Sequence, residues 1–190
     1  MRTNKRGFHT WTEEELQAFF ERHKVGSVVH TAVTLMLYTA CARSAVVKLG
    51  WQNLKGDRLR YRRQKTGRVS AVLIDIPLHQ ELRKVLETLH KDKLTFLETR
   101  GGRSRSANGL GTAMRKWCDD AGLPKCSAHG LRKACATRLA EAGATEREIM
   151  AWTGHNSPTM VQVYAGNTHR NQETRGQHRN PPLNRHCRFL

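Results

Sequence analysis

The sequence lacks the features of membrane and secreted proteins. Its 190 residues contain no run of about 18 apolar ones, the length that a membrane-spanning helix needs, and the longest apolar stretch, TAVTLMLYTACA, has the length of a buried helix. The basic segment Met1–Gly7 does not precede the apolar stretch of a signal peptide. The five cysteines are an odd number without the spacing of a disulfide framework. We therefore expect reduced thiols and a cytoplasmic protein.

Acidic residues are also scarce. The chain has 33 Lys and Arg against 16 Asp and Glu, which gives a formal net charge of +17 at pH 7. Such an excess favours a polyanionic partner, most often nucleic acid, although a basic protein without such a partner is the alternative. Basic stretches at Arg58–Arg68 and Arg100–Arg105 contribute to it. The length fits one domain, and no internal repeat is visible.

The first half of the chain combines helical and strand patterns. Thr12 and Glu15 have the spacing of a capping box, and an amphipathic helix is predicted after them. Residues Val28–Val47 predict one long, mostly buried helix. The stretch RLRYRRQKTGRVSAVLIDIP then predicts two short strands joined by a turn at Lys65-Thr66-Gly67.

The second half is mainly helical. After the extended piece TFLET, a basic loop is predicted from Arg100 to Asn108, followed by a helix. A strongly patterned helix over His129–Ala142 ends at Gly143, and a second capping box at Thr145 and Glu148 begins another. The predicted fold is α+β, mainly α-helical with a small antiparallel β-sheet.

Four polar residues near the end of this helical region need a chemical explanation. His129 and Arg132 are three residues apart at the start of a helix, so they share a face beside free backbone N–H groups, which suits a phosphate. Gly154-His155 follows the next helix, and Tyr164 comes nine residues later. A phenol with a pKa near 10 becomes a nucleophile when cations stabilise the charge that develops on attack. Lys65 in the predicted turn is a further cation.

Together these motifs resemble the catalytic domain of the tyrosine recombinases, the phage integrase family. HGLRKACATRLAEAGATEREIMAWTGH followed by TMVQVY is similar to the family's His-x-x-Arg box, its Gly-His and its nucleophilic tyrosine. LMLYTACARSAVVKLGWQNL is similar to the region of its first arginine, and YRRQKTGRVSAVLIDIPLH to its lysine-bearing hairpin. The resemblance covers roughly Trp11 to Tyr164 in order.

The resemblance implies a site-specific recombinase or integrase of a mobile genetic element, acting on double-stranded DNA. Tyr164 would form a 3′-phosphotyrosine and leave a free 5′-hydroxyl. The energy of the broken phosphodiester bond would be retained in the phosphotyrosine, so rejoining would need no ATP. Arg43 and Arg132 would bind the phosphate, and His129 and His155 would assist by hydrogen bonding and proton transfer. Lys65 would act as the general acid. No metal, small-molecule cofactor or membrane is implied, and the family's activity implies self-association into a tetrameric synapse on DNA.

The chain departs from the family pattern at its first arginine. The family usually has Thr-Gly-x-Arg there, with an acid three residues later, whereas this sequence reads Thr39-Ala40-Cys41-Ala42-Arg43. Ala42 occupies the expected slot and Arg43 comes one place late. One residue is about 100° of helical rotation, so Arg43 reaches a phosphate only if the local backbone adjusts. Neither residue has an acid three places on.

The resemblance also predicts how the chain is organised. We expect residues 1–165 to form the catalytic domain and residues 166–190 to form a basic, poorly ordered tail. The N-terminal core-binding domain of the family is expected to be absent, as in a minimal or truncated recombinase.

Three other functions compete with an active strand-transfer enzyme. The displaced arginine and the missing domain favour a catalytically impaired, DNA-binding remnant. A transcription factor with a helix in the major groove is a weaker alternative, since groove recognition needs no such set of residues. A zinc site is the third, but its candidate ligands lack Cys-x2-Cys or His-x3-His spacing; these are Cys118, Cys126, His129 and Cys135.

Overall fold

The computed structural model describes residues 7–63 and 71–154, and in them seven helices accompany one three-stranded sheet. The helices are α1 (Glu13–Arg22), α2 (Val28–Thr39), α3 (Arg43–Val46), α4 (Gln80–Glu87), α5 (Ala107–Asp120), α6 (Ala128–Glu141) and α7 (Glu146–Thr153). The strands are β1 (Leu54–Lys55), β2 (Arg58–Arg63) and β3 (Val72–Pro77), and a short 3-10 turn at Trp51–Asn53 precedes them. The predicted α+β class, mainly helical with a small antiparallel sheet, is confirmed.

The sheet has the order β1-β2-β3, and both pairs of strands are antiparallel. Leu59 and Tyr61 of β2 lie opposite Ile76 and Ile74 of β3, and all four are buried, because alternate residues of a strand share a face. The two predicted strands are confirmed. The sequence pattern missed β1, which is too short at two residues to show an alternation. The predicted turn at Lys65-Thr66-Gly67 lies outside the described residues.

Helix α2 runs through the centre of the molecule and packs against α6 and α4. Most of its side chains are buried, among them Val33, Leu35 and Leu37. Its N-cap is Ser27, whose hydroxyl accepts a hydrogen bond from the backbone of His30. This central position holds the C-terminal end of α2 against the start of α6, where the candidate residues lie.

The single helix predicted over Val28–Val47 is wrong, because the structure divides it in two. Helix α2 ends at Thr39, and Ala40 adopts a left-handed conformation with φ 51°. The Thr39 hydroxyl donates to the Leu35 carbonyl and accepts from the Cys41 amide, so it supplies a partner on each side of the break. Helix α3 then begins at Arg43.

The predicted capping boxes are confirmed at the start of α1 and of α7. Helix α5 begins inside the predicted Arg100–Asn108 loop, because Ser106 caps it two residues earlier than the pattern indicates. The extended piece predicted at TFLET is a series of bends, with one isolated bridge between Glu98 and Ser104. The four described cysteines are buried free thiols. Within the described ranges, no helix is long and apolar enough to cross a membrane.

Candidate active site

Three of the six candidate residues lie in the described part of the chain, and the fold brings all three to one cleft. Arg43, His129 and Arg132 line a cleft of about 490 Å³ between the start of α3, the start of α6 and the end of β2. The other three are Lys65, His155 and Tyr164, and they lie outside the described residues. We call the surface that contains Arg43, His129 and Arg132 the basic cleft.

Arg132 is a structural link as well as a cation of the basic cleft. Its side chain is buried, and its Nη1 donates to the carbonyl of Ala40 at 2.6 Å. Its Nη2 donates to the carbonyl of Thr153 at 2.5 Å. The left-handed turn at Ala40 and the last residue of α7 are therefore held together by one guanidinium. A buried charge needs such hydrogen bonds, because removing it from water is costly.

His129 lies in the first turn of α6, beside Arg132. The ring of Phe8 packs against it with the ring centroids 4.5 Å apart. Partial burial lowers the pKa of His129 below its usual value, and the positive charges of Arg132, Lys133 and Arg43 lower it further. The lowered pKa favours the neutral imidazole, in which one ring nitrogen donates a hydrogen bond and the other accepts. Such a group suits proton transfer at neutral pH.

The N-terminal segment fixes the start of α6 from the outside. The Trp11 indole donates to the Ser127 carbonyl at 2.8 Å, and Lys133 Nζ donates to the Phe8 carbonyl at 2.7 Å. Gly130 permits this close crossing, because a Cβ there would overlap the carbonyl of His9. The first turn of α6, with His129 on it, is thus held between the N-terminal segment and α2.

Arg43 occupies the opposite wall of the basic cleft. It is the first residue of α3, and its guanidinium lies over Gly111 of α5, where a Cβ would overlap Nη1. It also lines a shallow depression that continues along α5 past Arg115 and Lys116. In the sequence, Arg43 comes one position after the slot of the family's first arginine. In the structure, it reaches the edge of the cleft from α3. Ala42, the N-cap of α3, lines the same cleft.

Sequence reasoning missed a fourth basic residue of the cleft, Arg63. It is the last residue of β2, it lines the basic cleft, and its Nη1 donates to the Thr153 carbonyl at 2.5 Å. The signal for it was the alternation in β2, because Leu59, Tyr61 and Arg63 share a face and the first two are buried. Among the described residues that line the cleft there is no Asp or Glu. The cleft therefore suits an anion.

The proposed zinc ligands Cys118, Cys126, His129 and Cys135 do not assemble as a group within residues 7–63 and 71–154. Close ligand atoms come instead from His9, Glu15 and Cys126, which lie within 4.8 Å of one another. His9 pairs with Glu15 at 2.7 Å, and the Thr12 amide donates to the same carboxylate. Burial, with the nearby Glu15, raises the pKa of Cys126 to about 12, so its thiol is protonated at neutral pH. An ion pair and a capping box account for this cluster.

Comparison with protein families places the chain among known sequences. Residues 10–171 match the model of the phage integrase family. The tyrosine recombinase XerD of Corynebacterium glutamicum is 39% identical over 75 residues, which are 39% of this chain and 24% of that protein. The integrase of Mycobacterium phage L5 is 35% identical over 77 residues, 40% of this chain and 21% of that protein. The matched stretch is thus about a quarter of the length of these relatives.

Solved structures agree on the fold. XerA recombinase superposes with a TM-score of 0.71 at 17% identity, over 90% of this chain and 66% of that one. The integrase of transposon Tn1549, in complex with a circular intermediate DNA, gives 0.71 at 19% identity, with 93% and 68% covered. A lambda integrase dimer bound to a COC′ core site gives 0.69 at 18% identity, with 95% and 64% covered. The chain therefore belongs to the phage integrase family of tyrosine recombinases and has the fold of their catalytic domain.

Proposed function

We propose that this chain is the catalytic domain of a site-specific recombinase or integrase that cuts and rejoins DNA through a 3′-phosphotyrosine. The observation that carries the proposal is the basic cleft. Residues from α3 and α6, far apart in sequence, meet there around a surface whose described lining has no carboxylate. A phosphodiester carries the charge that such a surface attracts.

The proposed reaction is a transesterification. The hydroxyl of Tyr164 attacks the scissile phosphorus and forms a P–O bond, while the bond from phosphorus to the 5′ oxygen breaks. Lys65 gives a proton to the departing 5′ oxygen, and the histidines at 129 and 155 donate hydrogen bonds and accept the phenol proton. Attack by a 5′-hydroxyl on the phosphotyrosine reverses these steps and rejoins the strand. The number of phosphoester bonds stays constant, so no ATP is consumed.

Charge stabilisation in this reaction falls to the arginines. Arg132 and Arg43 would bind the non-bridging oxygens, on which negative charge accumulates in the transition state. Guanidinium groups suit this role because they present fixed forks of donors to tetrahedral oxyanions. We therefore propose that the reaction needs neither a metal nor an organic cofactor, and that a chelator leaves it unchanged.

The nucleophile is proposed to be Tyr164 partly because of the other two tyrosines. Burial raises the pKa of Tyr61, and the nearby Cys41 raises it further. Burial also raises the pKa of Tyr38, whose ring stacks on His79. Both phenols are held away from the ionised form, and neither lines the basic cleft. Tyr164 is the remaining tyrosine of the chain.

The proposed partners are double-stranded DNA and further copies of the chain in a tetrameric synapse. The net charge of +17 supports the first. The second draws on the lambda integrase, which was solved as a dimer on a core site. We propose residues 1–165 as the catalytic domain and residues 166–190 as a tail. DNA affinity should fall steeply with salt, because each neutralised phosphate releases counterions.

The test is a nicked suicide DNA duplex, which traps the covalent intermediate, followed by a denaturing gel. We expect a protein–DNA adduct with the unmodified chain and with Tyr38→Phe and Tyr61→Phe, which are matched controls for losing one phenol hydroxyl. Tyr164→Phe should bind DNA normally and form no adduct. An adduct that persists in Tyr164→Phe would show that another residue is the nucleophile.

The second candidate function is a DNA-binding remnant without catalysis. The observation that favours it is Ala42, which lines the basic cleft at the slot where the family has an arginine. The same experiment separates the two functions. Salt-sensitive binding of the suicide duplex by the unmodified chain, with no adduct, would support the remnant.

A further inference from the structure

We propose that Arg63 is a third phosphate-binding arginine of the basic cleft, which acts beside Arg132 on the non-bridging oxygens of the scissile phosphate. This inference rests on the proposed function and adds a residue to it. It is carried by the position of Arg63, by its hydrogen bond to Thr153 and by the charge of its surroundings.

The strand register determines where Arg63 points. Arg63 pairs with Val72 at the end of the β2–β3 ladder, and it follows the buried Leu59 and Tyr61 at steps of two. Because the side chains of a strand alternate, Arg63 lies on the inward face and Arg62 on the exposed one. The inward face at this end of β2 opens into the basic cleft.

The contact of Arg63 with Thr153 places two guanidinium groups together. Arg63 Nη1 and Arg132 Nη2 both donate to the Thr153 carbonyl, each at 2.5 Å. Thr153 is the last residue of α7, so its carbonyl also has the partial negative charge of a helix C-terminus. That partial charge offsets only part of the repulsion between two full positive charges at this separation. An anion in the cleft would offset the remainder.

Among the described residues, the remaining donors of Arg63 have no hydrogen-bond partner and can meet such an anion. A guanidinium has five N–H groups, and the bond to Thr153 uses one. In the described part of the chain, Arg63 forms no ion pair with a carboxylate. On the opposite side, the lining includes Ala42, whose side chain has no charge. Arg63 therefore adds a positive charge to a cleft in which the N-cap of α3 supplies none.

A purely structural role is the competing explanation, in which Arg63 only caps α7. The side chain of Arg63 also lies close to Gly154, since a Cβ at Gly154 would lie 3.0 Å from Arg63 Nη1. Gly154 is the C-cap of α7 and has a left-handed φ of 66°. If Arg63 only caps α7, its loss would slow catalysis by displacing α7, and the defect would be the same for a charged and a neutral phosphate. An arginine that binds the phosphate would matter only while the phosphate is charged. The charge of the substrate thus separates the two roles.

The kinetic test compares Arg63→Ala, Arg63→Gln and Arg63→Lys with Arg62→Ala, which removes the same charge from the exposed face of the same strand. Gln keeps an N–H donor without the charge, so it remains usable if the alanine variant does not fold. We expect adduct formation on the suicide duplex to slow by about 100-fold or more in Ala and Gln, the usual effect of losing one transition-state donor. Lys should recover part of the rate, and Arg62→Ala should stay within about 3-fold of the unmodified chain. Equal rates in Arg63→Ala and the unmodified chain would overturn the proposal.

A second substrate tests charge directly. In a suicide duplex with a methylphosphonate at the scissile position, one charged oxygen is replaced by a methyl group. We expect the defect of Arg63→Gln to shrink to within about 10-fold on this neutral substrate, because the interaction lost is electrostatic. A defect of the same size on both substrates would show that Arg63 acts by holding α7, and the proposal would be wrong.

A measurement of phosphate binding at equilibrium tests the role of Arg63 without requiring catalysis. Inorganic phosphate is titrated into the unmodified chain, Arg63→Gln and Arg62→Ala, and the ring resonances of His129 report binding in the basic cleft. We expect about 10-fold weaker binding in Arg63→Gln and no change in Arg62→Ala, given the strength of hydrogen bonds to charged groups. If the unmodified chain forms no adduct but shows this pattern, the proposed function fails and the role of Arg63 in binding phosphate stands. Equal phosphate affinity in all three would refute that role.

Discussion

The two walls of the basic cleft are built differently. On one wall, Arg132 and Arg63 both donate to the carbonyl of Thr153, and Arg132 also holds the turn at Ala40. On the other wall, Arg43 extends from α3 over Gly111, and its side chain has no ion pair or hydrogen bond among the described residues. Within residues 7–63 and 71–154, one wall is fixed by hydrogen bonds before any ligand arrives, and the other is held by packing.

This difference separates two tasks that arginines perform at an anion site. A guanidinium with backbone partners is already oriented, so less side-chain entropy is lost when a phosphate binds. A guanidinium without such partners adjusts to the ligand, and more entropy is lost on binding. We therefore expect the fixed wall to matter for both folding and chemistry, and the Arg43 wall to matter for phosphate and DNA binding but little for folding.

The largest effect is expected from breaking the fixed wall. Arg132→Ala removes the donor to the Ala40 carbonyl, while the Thr153 carbonyl keeps its bond from Arg63, and a buried acceptor left unpaired costs about 1–3 kcal/mol. The free energy of unfolding, measured with urea, should fall on the order of 1–3 kcal/mol by the same principle, and the covalent adduct should disappear. Arg62→Ala is the control, because it removes an exposed arginine from β2. Unchanged stability in Arg132→Ala would mean that the link between α2 and α7 does not support the fold.

The Arg43 wall should respond in the opposite way. Arg43→Ala should change the free energy of unfolding by less than about 0.5 kcal/mol, as is usual for a surface substitution. Its effect should appear in DNA affinity, where losing one phosphate contact lowers the slope of log K against log salt by about 1. Arg43→Lys, which keeps the charge, should retain the slope. A loss of stability as large as that of Arg132→Ala would show that the two walls are equivalent.

Gly111→Ala sharpens the comparison without touching an arginine. The new methyl group would occupy the place of Arg43 Nη1, and the end of that flexible side chain would move aside. Replacing glycine within α5 should raise the free energy of unfolding by up to about 1 kcal/mol. DNA affinity should change in the unmodified background and stay constant in Arg43→Ala. An effect on affinity of the same size in both backgrounds would contradict the contact between Arg43 and α5.

The smallest effect concerns the ionisation of His129, which lies between the two walls. Burial and then Arg132, Lys133 and Arg43 lower its pKa, so below a pH of about 6.5 the unfolded chain binds more protons than the folded one. The free energy of unfolding should accordingly decrease as the pH falls through this window, less steeply in His129→Gln. In an NMR titration, Arg43→Ala should raise the pKa of His129. A pKa above the usual histidine value in the unmodified chain would contradict the charge assigned to the cleft.

The sequence predicted the features that depend on local chemistry. The capping boxes at Thr12 and Thr145 and the alternation in β3 each depend on residues a few positions apart. His129 and Arg132 were predicted to share a helix start, and the structure places both on the basic cleft.

The features that the sequence did not predict depend on distant contacts. The break at Ala40 places an alanine in a left-handed conformation, and its carbonyl is held by an arginine 92 positions away. Arg63 could not be assigned to the cleft without knowing that the end of β2 meets the end of α7, 90 positions on. The orientation of Arg43 depends on the absence of a side chain at Gly111. None of these pairings leaves a periodic pattern in the sequence.

The most direct test of the proposed chemistry identifies the residue that becomes attached to DNA. The covalent complex with the nicked suicide duplex is digested with protease and nuclease, and the peptide that carries a nucleotide is sequenced by mass spectrometry. The proposed function predicts a single modified peptide, with Tyr164 joined to a 3′-phosphate and a free 5′-hydroxyl on the released strand. Attachment through a serine or a histidine, or to the 5′ end of the DNA, would contradict it.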